Sequence, residues 1–114
     1  MRIERFEDII AWQKSQELAI LMYRLFKHSK DFSYKDQMLR AVISISNNIA
    51  EGYERKSNKE LKQFLYIAKG SAGEVRSMLH LGLKLELINQ PDLDKAYQLS
   101  LEIARMLSGF IKTL

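Results

Sequence analysis

Apolar residues recur at three- and four-residue steps through four segments of the chain, and polar segments separate them. This spacing is typical of amphipathic helices, because residues three or four apart share one helix face. The pattern predicts helices over about residues 7–28, 34–53, 57–88 and 91–112. Four antiparallel helices with short loops predict an all-α, up-down-up-down four-helix bundle. The residues expected to be buried in the first helix are Ile9, Trp12, Ala19, Ile20, Tyr23 and Phe26.

Start signals mark the boundaries between these segments. Ser33 and Asp36 resemble a capping box in which a short acid replaces the usual glutamate, and Ser57 with Glu60 forms the full Ser-x-x-Glu box. Pro91 suits the first turn of the last helix. The sequence therefore supplies its own boundaries for the second, third and fourth helices.

Small residues from Gly70 to Gly73 interrupt the third segment. Each glycine inside a helix costs roughly 0.5–1 kcal/mol relative to alanine, so a compensating reason is expected. We expect close approach of the second helix, with Ser44 against Gly70. The alternative is a kink or break at these glycines.

The composition agrees with one helical domain covering residues 1–114. Five glycines and one proline are few for a β-rich chain, which needs turn residues at short intervals. The chain has no cysteine, which excludes disulfides and thiolate metal sites. This fits a reducing compartment, and we expect a cytoplasmic protein. The charged first residues, and a longest apolar run of six residues at 18–23, predict neither a signal peptide nor a membrane span.

Residues that could carry catalysis or hold a metal are scarce. The two histidines, His28 and His80, lie in neither a Glu-x-x-His nor a His-Glu-x-x-His motif, so the ligands of di-iron and zinc sites are missing. No acid–base pair, and no nucleophile with its base, can be assembled from the sequence. We therefore predict a protein that is not an enzyme, without catalytic residues, metal or cofactor.

A polar seam is predicted where the second helix faces the third. Its members recur at three- and four-residue steps beside the apolar stripe, or oppose it on the third helix: Gln37, Arg40, Ser44, Asn48, Glu51, Ser71 and Glu74. An antiparallel turn centred near Lys56 places Arg40 opposite Glu74. We expect a partly buried, bidentate ion pair there. The alternative is a solvated surface pair worth under about 1 kcal/mol.

A basic patch is predicted at the loop between the second and third helices. Arg55, Lys56, Lys59 and Lys62 lie within eight residues, and Lys69 follows two turns later. The net charge of +4 favours a polyanionic partner. The patch is either a solvated face, as charge runs usually are, or a nucleic-acid site that a symmetric oligomer would multiply.

Self-association is predicted because apolar positions exceed one stripe in the first and third helices. The eight surplus residues are Ile10, Leu18, Leu21, Met22, Leu25, Leu81, Leu83 and Leu87. A monomer would expose them to water.

The most specific motif is QMLRAVISISNNIAEG at residues 37–52, which contains Ser-x-x-x-Asn-Ile-Ala-Glu-Gly from Ser44 to Gly52. With FLYIAKGS at 64–71, Glu74, and Phe6-Glu-Asp followed by Trp12-Gln13, it resembles the four-helix-bundle proteins encoded in 23S rRNA intervening sequences. That family often has Phe-Pro before its second helix, where this chain has Phe32 and Ser33.

The resemblance implies a four-helix bundle that assembles into a ring, commonly a pentamer, with no known enzymatic activity. It also implies kinship with the accessory proteins of diversity-generating retroelements, which are basic barrels that bind nucleic acid and help a reverse transcriptase. Two hypotheses about function follow. One is a non-enzymatic homo-oligomer that binds RNA or DNA through phosphate contacts, with little base readout. The other is an oligomeric adaptor for a reverse transcriptase or another protein, in which exposed apolar helix faces matter more than lysines.

Overall fold

The structure, a computed structural model, describes residues 2–114. A short 3-10 turn at Phe6–Asp8 leads into four helices, and no strand occurs in this range. The helices are Ile10–Phe26 (α1), Phe32–Tyr53 (α2), Asn58–Lys84 (α3) and Gln90–Lys112 (α4). The predicted all-α four-helix fold is confirmed. Over the same range, no helix is both long enough and apolar enough to span a membrane.

Neighbouring helices contact each other in antiparallel order. Between α2 and α3, the Tyr34 hydroxyl donates to the carbonyl of Met78, and the hydroxyls of Ser44 and Ser71 share a hydrogen bond of 2.9 Å. Residue numbers therefore rise along α2 as they fall along α3. Side-chain contacts between α1 and α2, and between α3 and α4, follow the same order. Since α1 also packs against α4, the bundle closes in chain order.

Polar side chains cap three of the helices. Ser57 caps α3 as predicted, accepting a hydrogen bond of 3.2 Å from the backbone N–H of Glu60, and Asn89 caps α4. The prediction that Ser33 caps α2 is wrong, because Asp31 accepts the capping bond at 3.1 Å and Ser33 lies inside the first turn. A carboxylate at this position also interacts favourably with the helix dipole.

The end of α3 lies four residues before the predicted one. Glu86 adopts the left-handed conformation with φ of 60°. The N–H groups of Glu86 and Leu87 return to carbonyls of the last turn at 3.1 and 2.8 Å, which is the Schellman arrangement. Glycine is the usual residue at this left-handed position. The glutamate therefore gave no sequence signal for the stop.

All four helices contribute to one apolar core. The largest fully buried side chains are Phe26, Leu18, Met22, Met38, Ile45, Ile49, Leu65, Leu79, Ile103, Leu107, Val42 and Val75.

The core-facing side of α1 differs from the predicted one. Its buried residues are Ala11, Ser15, Leu18, Met22 and Phe26. Ile20 and Tyr23, which were predicted to be buried, are 49% and 44% exposed. The helix is apolar around most of its circumference, so spacing alone does not select a face. Ser15 fits the core because its hydroxyl donates to the carbonyl of Ala11, four residues earlier, at 2.6 Å.

Because a different side of α1 faces the core, the predicted self-association rests on different residues. Of the eight apolar residues expected outside the core, Leu18 and Met22 are fully buried, four are half-buried, and Ile10 and Leu81 are exposed. Ile20 and Tyr23 take the place of the buried pair on the surface of α1. The helix still presents exposed apolar side chains, but different ones.

Both predictions for the Gly70–Gly73 segment are wrong. α3 passes through it as one uninterrupted helix, and a Cβ at Gly70 would have nothing outside its own helix turn within 4 Å. Ser71, rather than Gly70, faces Ser44 of α2. Close helix approach instead occurs at Gly52, where a Cβ would lie 2.7 Å from the Cβ of Phe64.

Candidate nucleic-acid interface

The connection between α2 and α3 places Arg55 at a tightly packed corner. Its guanidinium lies 4.9 Å from the centre of the Phe64 ring, which Gly52 allows to sit close against α2. Arg55 also donates to the Glu51 carboxylate at 2.6 Å. An anion and an aromatic face therefore already engage this guanidinium. Glu51 compensates part of the charge of Arg55, so Arg55 should contact a phosphate more weakly than its place in the basic patch predicts.

Three predicted cations, Lys59, Lys62 and Lys69, form a stripe along α3, called here the α3 lysine stripe. Their steps of three and seven residues keep them within about 80° around the helix. The ion pairs found in residues 2–114 involve none of these lysines, nor Lys56 in the preceding loop. Lys59 and Lys69 lie about 15 Å apart along the axis at 1.5 Å per residue. The stripe is thus an extended row of uncompensated positive charge.

The carboxylate of Glu60, a sequence neighbour of the stripe, lies on another side of α3. At 100° per residue, Glu60 is about 160° away from Lys62 around the helix. The Ser57 hydroxyl donates to this carboxylate at 3.2 Å, at the helix N-terminus, where negative charge is favourable. Glu60 therefore dilutes the charge of the stripe less than the sequence indicates.

An exposed tyrosine that was not among the predicted site residues lies within the stripe. Tyr66 is 55% exposed, four residues after Lys62 and three before Lys69, so these side chains share one face. None of the aromatic pairs or cation contacts formed by residues 2–114 involves its ring. The signal was present as the 3-4-3 spacing from Lys59 to Lys69. This spacing marks one helix face, whereas closeness to the loop groups only the cations.

The middle of the polar seam lies between α2 and α3. Ser44 and Ser71 share their hydrogen bond there, and the Asn48 amide donates to the hydroxyl and the carbonyl of Ser44 at 2.9 and 2.7 Å. These bonds satisfy the polar side chains that are poor helix formers. At one end of the seam, Glu51 turns to Arg55 of the loop instead of to α3.

The predicted ion pair between Arg40 and Glu74 is wrong. Arg40 is exposed, and Gln37, one turn earlier, donates to the Glu74 carboxylate instead. Gln37 and Arg40 lie about 60° apart around α2, and this difference places the guanidinium on the outer side of the helix. The seam therefore holds no ion pair at this position.

Polar contacts that were not predicted join α1 to α2 and α3 to α4. The Gln16 amide of α1 donates to the Ser46 hydroxyl of α2 at 3.0 Å. On the other side of the bundle, Arg76 of α3 donates to the Ser100 hydroxyl of α4 at 3.0 Å, and that hydroxyl donates to the carbonyl of Ala72. Among residues 2–114, no buried side-chain nitrogen or oxygen lacks a partner.

A groove of about 780 Å³ runs along the surface between α1 and α4. Its apolar residues are Ile20, Leu21, Leu99 and Met106, and its charged residues are Glu17, Arg24, Lys95, Glu102 and Arg105. Lys14 joins the two helices by an ion pair with Glu102 at 3.3 Å. The groove and the α3 lysine stripe lie on different helices, so they are separate surfaces.

Neither histidine belongs to a metal-binding cluster. The ring of His80 packs edge-on against Tyr97 at 5.2 Å, and His28 is exposed beyond the end of α1. Throughout residues 2–114, no three His, Cys, Asp or Glu side chains are placed to hold a metal ion.

Comparisons with known proteins agree with this architecture. The family model described as 23S rRNA-intervening sequence protein matches residues 7–109. The chain is also similar to a crystal structure of a protein with unknown function, from the S23 ribosomal protein family, of Bacteroides thetaiotaomicron VPI-5482. That similarity has a TM-score of 0.85 and 30% sequence identity, and covers 90% of this chain and 98% of that chain. None of the curated proteins matches this chain.

Proposed function

The chain belongs to the family of 23S rRNA-intervening sequence proteins, and we propose that this member is a non-enzymatic, self-associating bundle that binds RNA or DNA. The α3 lysine stripe carries this proposal. Its three ammonium groups have no ion-pair partner, and they follow one another along about 15 Å of one helix face. A phosphate backbone is the polyanion whose charges repeat along such a line.

Self-association strengthens the proposed binding. The exposed Ile20 and Tyr23 on α1 give a surface that a second subunit can cover. We propose a ring of about five subunits, as the resemblance carried by the Ser44–Gly52 motif implies. A ring repeats the stripe, so several weak contacts act together on one nucleic-acid chain.

A second candidate function is an adaptor that holds another protein, such as a reverse transcriptase. The groove between α1 and α4 favours it, because its lining combines apolar with charged side chains, as many protein interfaces do. Replacing Met106 by glutamine would test this surface, because Met106 lines the groove on α4 and is not one of the residues assigned to subunit contact. The adaptor function predicts loss of a protein partner with unchanged nucleic-acid affinity.

Titration of structured RNA and duplex DNA at low and physiological salt tests nucleic-acid binding. If the stripe of one subunit makes three phosphate contacts, the affinity for duplex DNA should fall about 40-fold between roughly 50 and 200 mM salt. A variant with Lys59→Ala, Lys62→Ala and Lys69→Ala should bind more weakly, with a shallower dependence on salt. Arg55 stays unchanged, because it is engaged by Glu51.

A matched control removes the same charge at the other end of the bundle. Lys27, Lys84 and Lys95 are exposed near the end of α1, the end of α3 and the start of α4. Replacing these three by alanine should change the affinity far less than replacing the stripe. Equal losses in both variants would show a general charge effect without a site, and no binding by the wild type at low salt would remove the proposal. Light scattering after size exclusion tests the ring, and a mass of 13.3 kDa, one subunit, would contradict it.

A further inference from the structure

We infer that the α3 lysine stripe binds single-stranded RNA or DNA, with one unpaired base stacked on the ring of Tyr66. This inference rests on the proposed function. Proteins that bind single strands combine cations that follow the backbone with aromatic rings on which bases stack. The stripe has both elements on one helix face. Lysines alone would make a site for any polyanion, whereas the tyrosine adds a preference for exposed bases.

The position of Tyr66 suits stacking. Lys62 lies about 6 Å before it along the axis of α3, and Lys69 lies about 4.5 Å after it. A backbone whose phosphates contact the two lysines therefore passes beside the ring. The side chain is 55% exposed, and no ring or cation of residues 2–114 stacks on it. A face of the ring is open to a ligand.

The shape of the bundle works against a paired ligand at this tyrosine. α3 is held between α2 and α4, and the bundle measures 43 × 22 × 19 Å along its principal axes. A major groove about 12 Å wide admits a single helix, but not three packed side by side. The lysines can reach the phosphates of a duplex from outside. The bases of that duplex remain stacked on each other, out of reach of Tyr66.

The charges around Tyr66 favour a nucleic acid over a protein as its occupant. Burying Lys62 and Lys69 beneath an apolar protein surface would leave two ammonium groups desolvated without partners, which is costly. Ile67, the neighbouring exposed apolar residue, lies about 100° away around the helix and does not extend the tyrosine into an apolar patch. The surface offers one aromatic ring among cations. A nucleotide matches both, because its base can stack on the ring and its phosphate can contact the lysines.

Fluorescence anisotropy with a labelled mixed-sequence RNA 12-mer, single-stranded or annealed to its complement, tests the inference. The full-length protein is compared with Tyr66→Leu and Tyr66→Phe. Losing one stacked base should weaken single-strand binding about 5- to 150-fold in Tyr66→Leu. Duplex affinity should change less than about twofold, and Tyr66→Phe should keep both affinities because it keeps the ring. The matched control is Phe32→Leu, which removes an exposed aromatic ring from the start of α2, at the other end of the bundle, and should leave both affinities unchanged.

The outcomes separate this inference from the function on which it rests. If the wild type binds neither ligand, both fail. If alanine at the three stripe lysines weakens both ligands while Tyr66→Leu weakens neither, or weakens both equally, binding stands and base stacking is overturned. If light scattering shows that Tyr66→Leu forms a smaller oligomer than the wild type, the Tyr66 side chain lies between subunits. That result also overturns the inference.

Discussion

The same substitution at two glycines should have opposite effects on stability. At Gly52, an alanine Cβ would lie 2.7 Å from the Cβ of Phe64 and 3.1 Å from a methyl carbon of Leu61. At Gly70, a Cβ would meet nothing within 4 Å beyond its local helix. Both glycines lie in helices, so alanine improves the helix propensity at either one. The difference between the two variants therefore isolates the packing of α2 against α3.

The magnitudes follow from these two environments. Overpacking a tight contact costs about 1–3 kcal/mol, and replacing a helical glycine by alanine gains about 1 kcal/mol at most. Gly52→Ala should therefore lower the free energy of unfolding by up to about 2 kcal/mol. Gly70→Ala should raise it by roughly 0.5–1 kcal/mol, because only the backbone contribution changes. For a domain of this size, about 1 kcal/mol corresponds to roughly 4 °C in Tm.

Thermal and urea unfolding followed by far-UV circular dichroism measures both variants beside the wild type. We expect Tm to fall for Gly52→Ala and to rise for Gly70→Ala. Equal shifts in one direction would refute the argument that close approach at Gly52 explains the glycine of the Ala-Glu-Gly motif. A fall for Gly70→Ala alone would mean that another subunit, rather than α2, approaches α3 at that point.

Three other predictions concern individual polar groups. Arg76→Ala should destabilise the fold by about 1.5–3 kcal/mol, because the guanidinium donates to the hydroxyl and the carbonyl of Ser100. Arg40→Ala should change the free energy of unfolding by less than about 0.5 kcal/mol, because that side chain is exposed. If urea unfolding shows equal losses of stability for Arg76→Ala and Arg40→Ala, the two arginines do not differ in burial as described. Burial, and to a lesser degree the charge of Asp31, raises the pKa of Tyr34 from 10.0 to about 12, so the unfolded chain loses this proton at a lower pH than the folded protein. Stability should therefore decline as the pH rises from 10 toward 12, and urea unfolding across that range should show a smaller decline in Tyr34→Phe.

The helices could be predicted because their signals are local. Ser57 and Glu60 form a capping box within four residues, and the three- and four-residue spacing of apolar side chains repeats within each helix. The face of α1 could not be predicted in this way. Leu18 and Ile20 are equally apolar, and the one that faces the core depends on how α2 and α4 meet the helix. Ser15 also interrupts the apolar spacing of the buried face, although it lies in the core. Its hydroxyl has a hydrogen-bond partner, the carbonyl of Ala11, only once the helix has formed.

Within the candidate site, helix register was more accessible to sequence reasoning than side-chain direction. Ser44 meets α3 at Ser71, one residue from the expected Gly70. Arg40 nevertheless misses Glu74, because a rotation of about 60° around α2 separates it from Gln37. Long side chains amplify small rotations, and sequence spacing carries no information on them. The same limit applies to Arg55, whose partner is an acid one turn earlier in its own chain segment.

The hydrogen bonds and ion pair between helices bear on which bundle forms among its competitors. Aliphatic stripes can slide by a turn or rotate slightly against one another at small cost, so an all-aliphatic bundle has alternatives close in free energy to the native one. Here every neighbouring helix pair carries at least one directional contact, including Gln16 with Ser46, Ser44 with Ser71, Arg76 with Ser100, and Lys14 with Glu102. A slipped arrangement would leave buried members of this set unpaired, at about 1–3 kcal/mol for each group. These contacts thus widen the energy gap above misassembled bundles more than they deepen the native minimum.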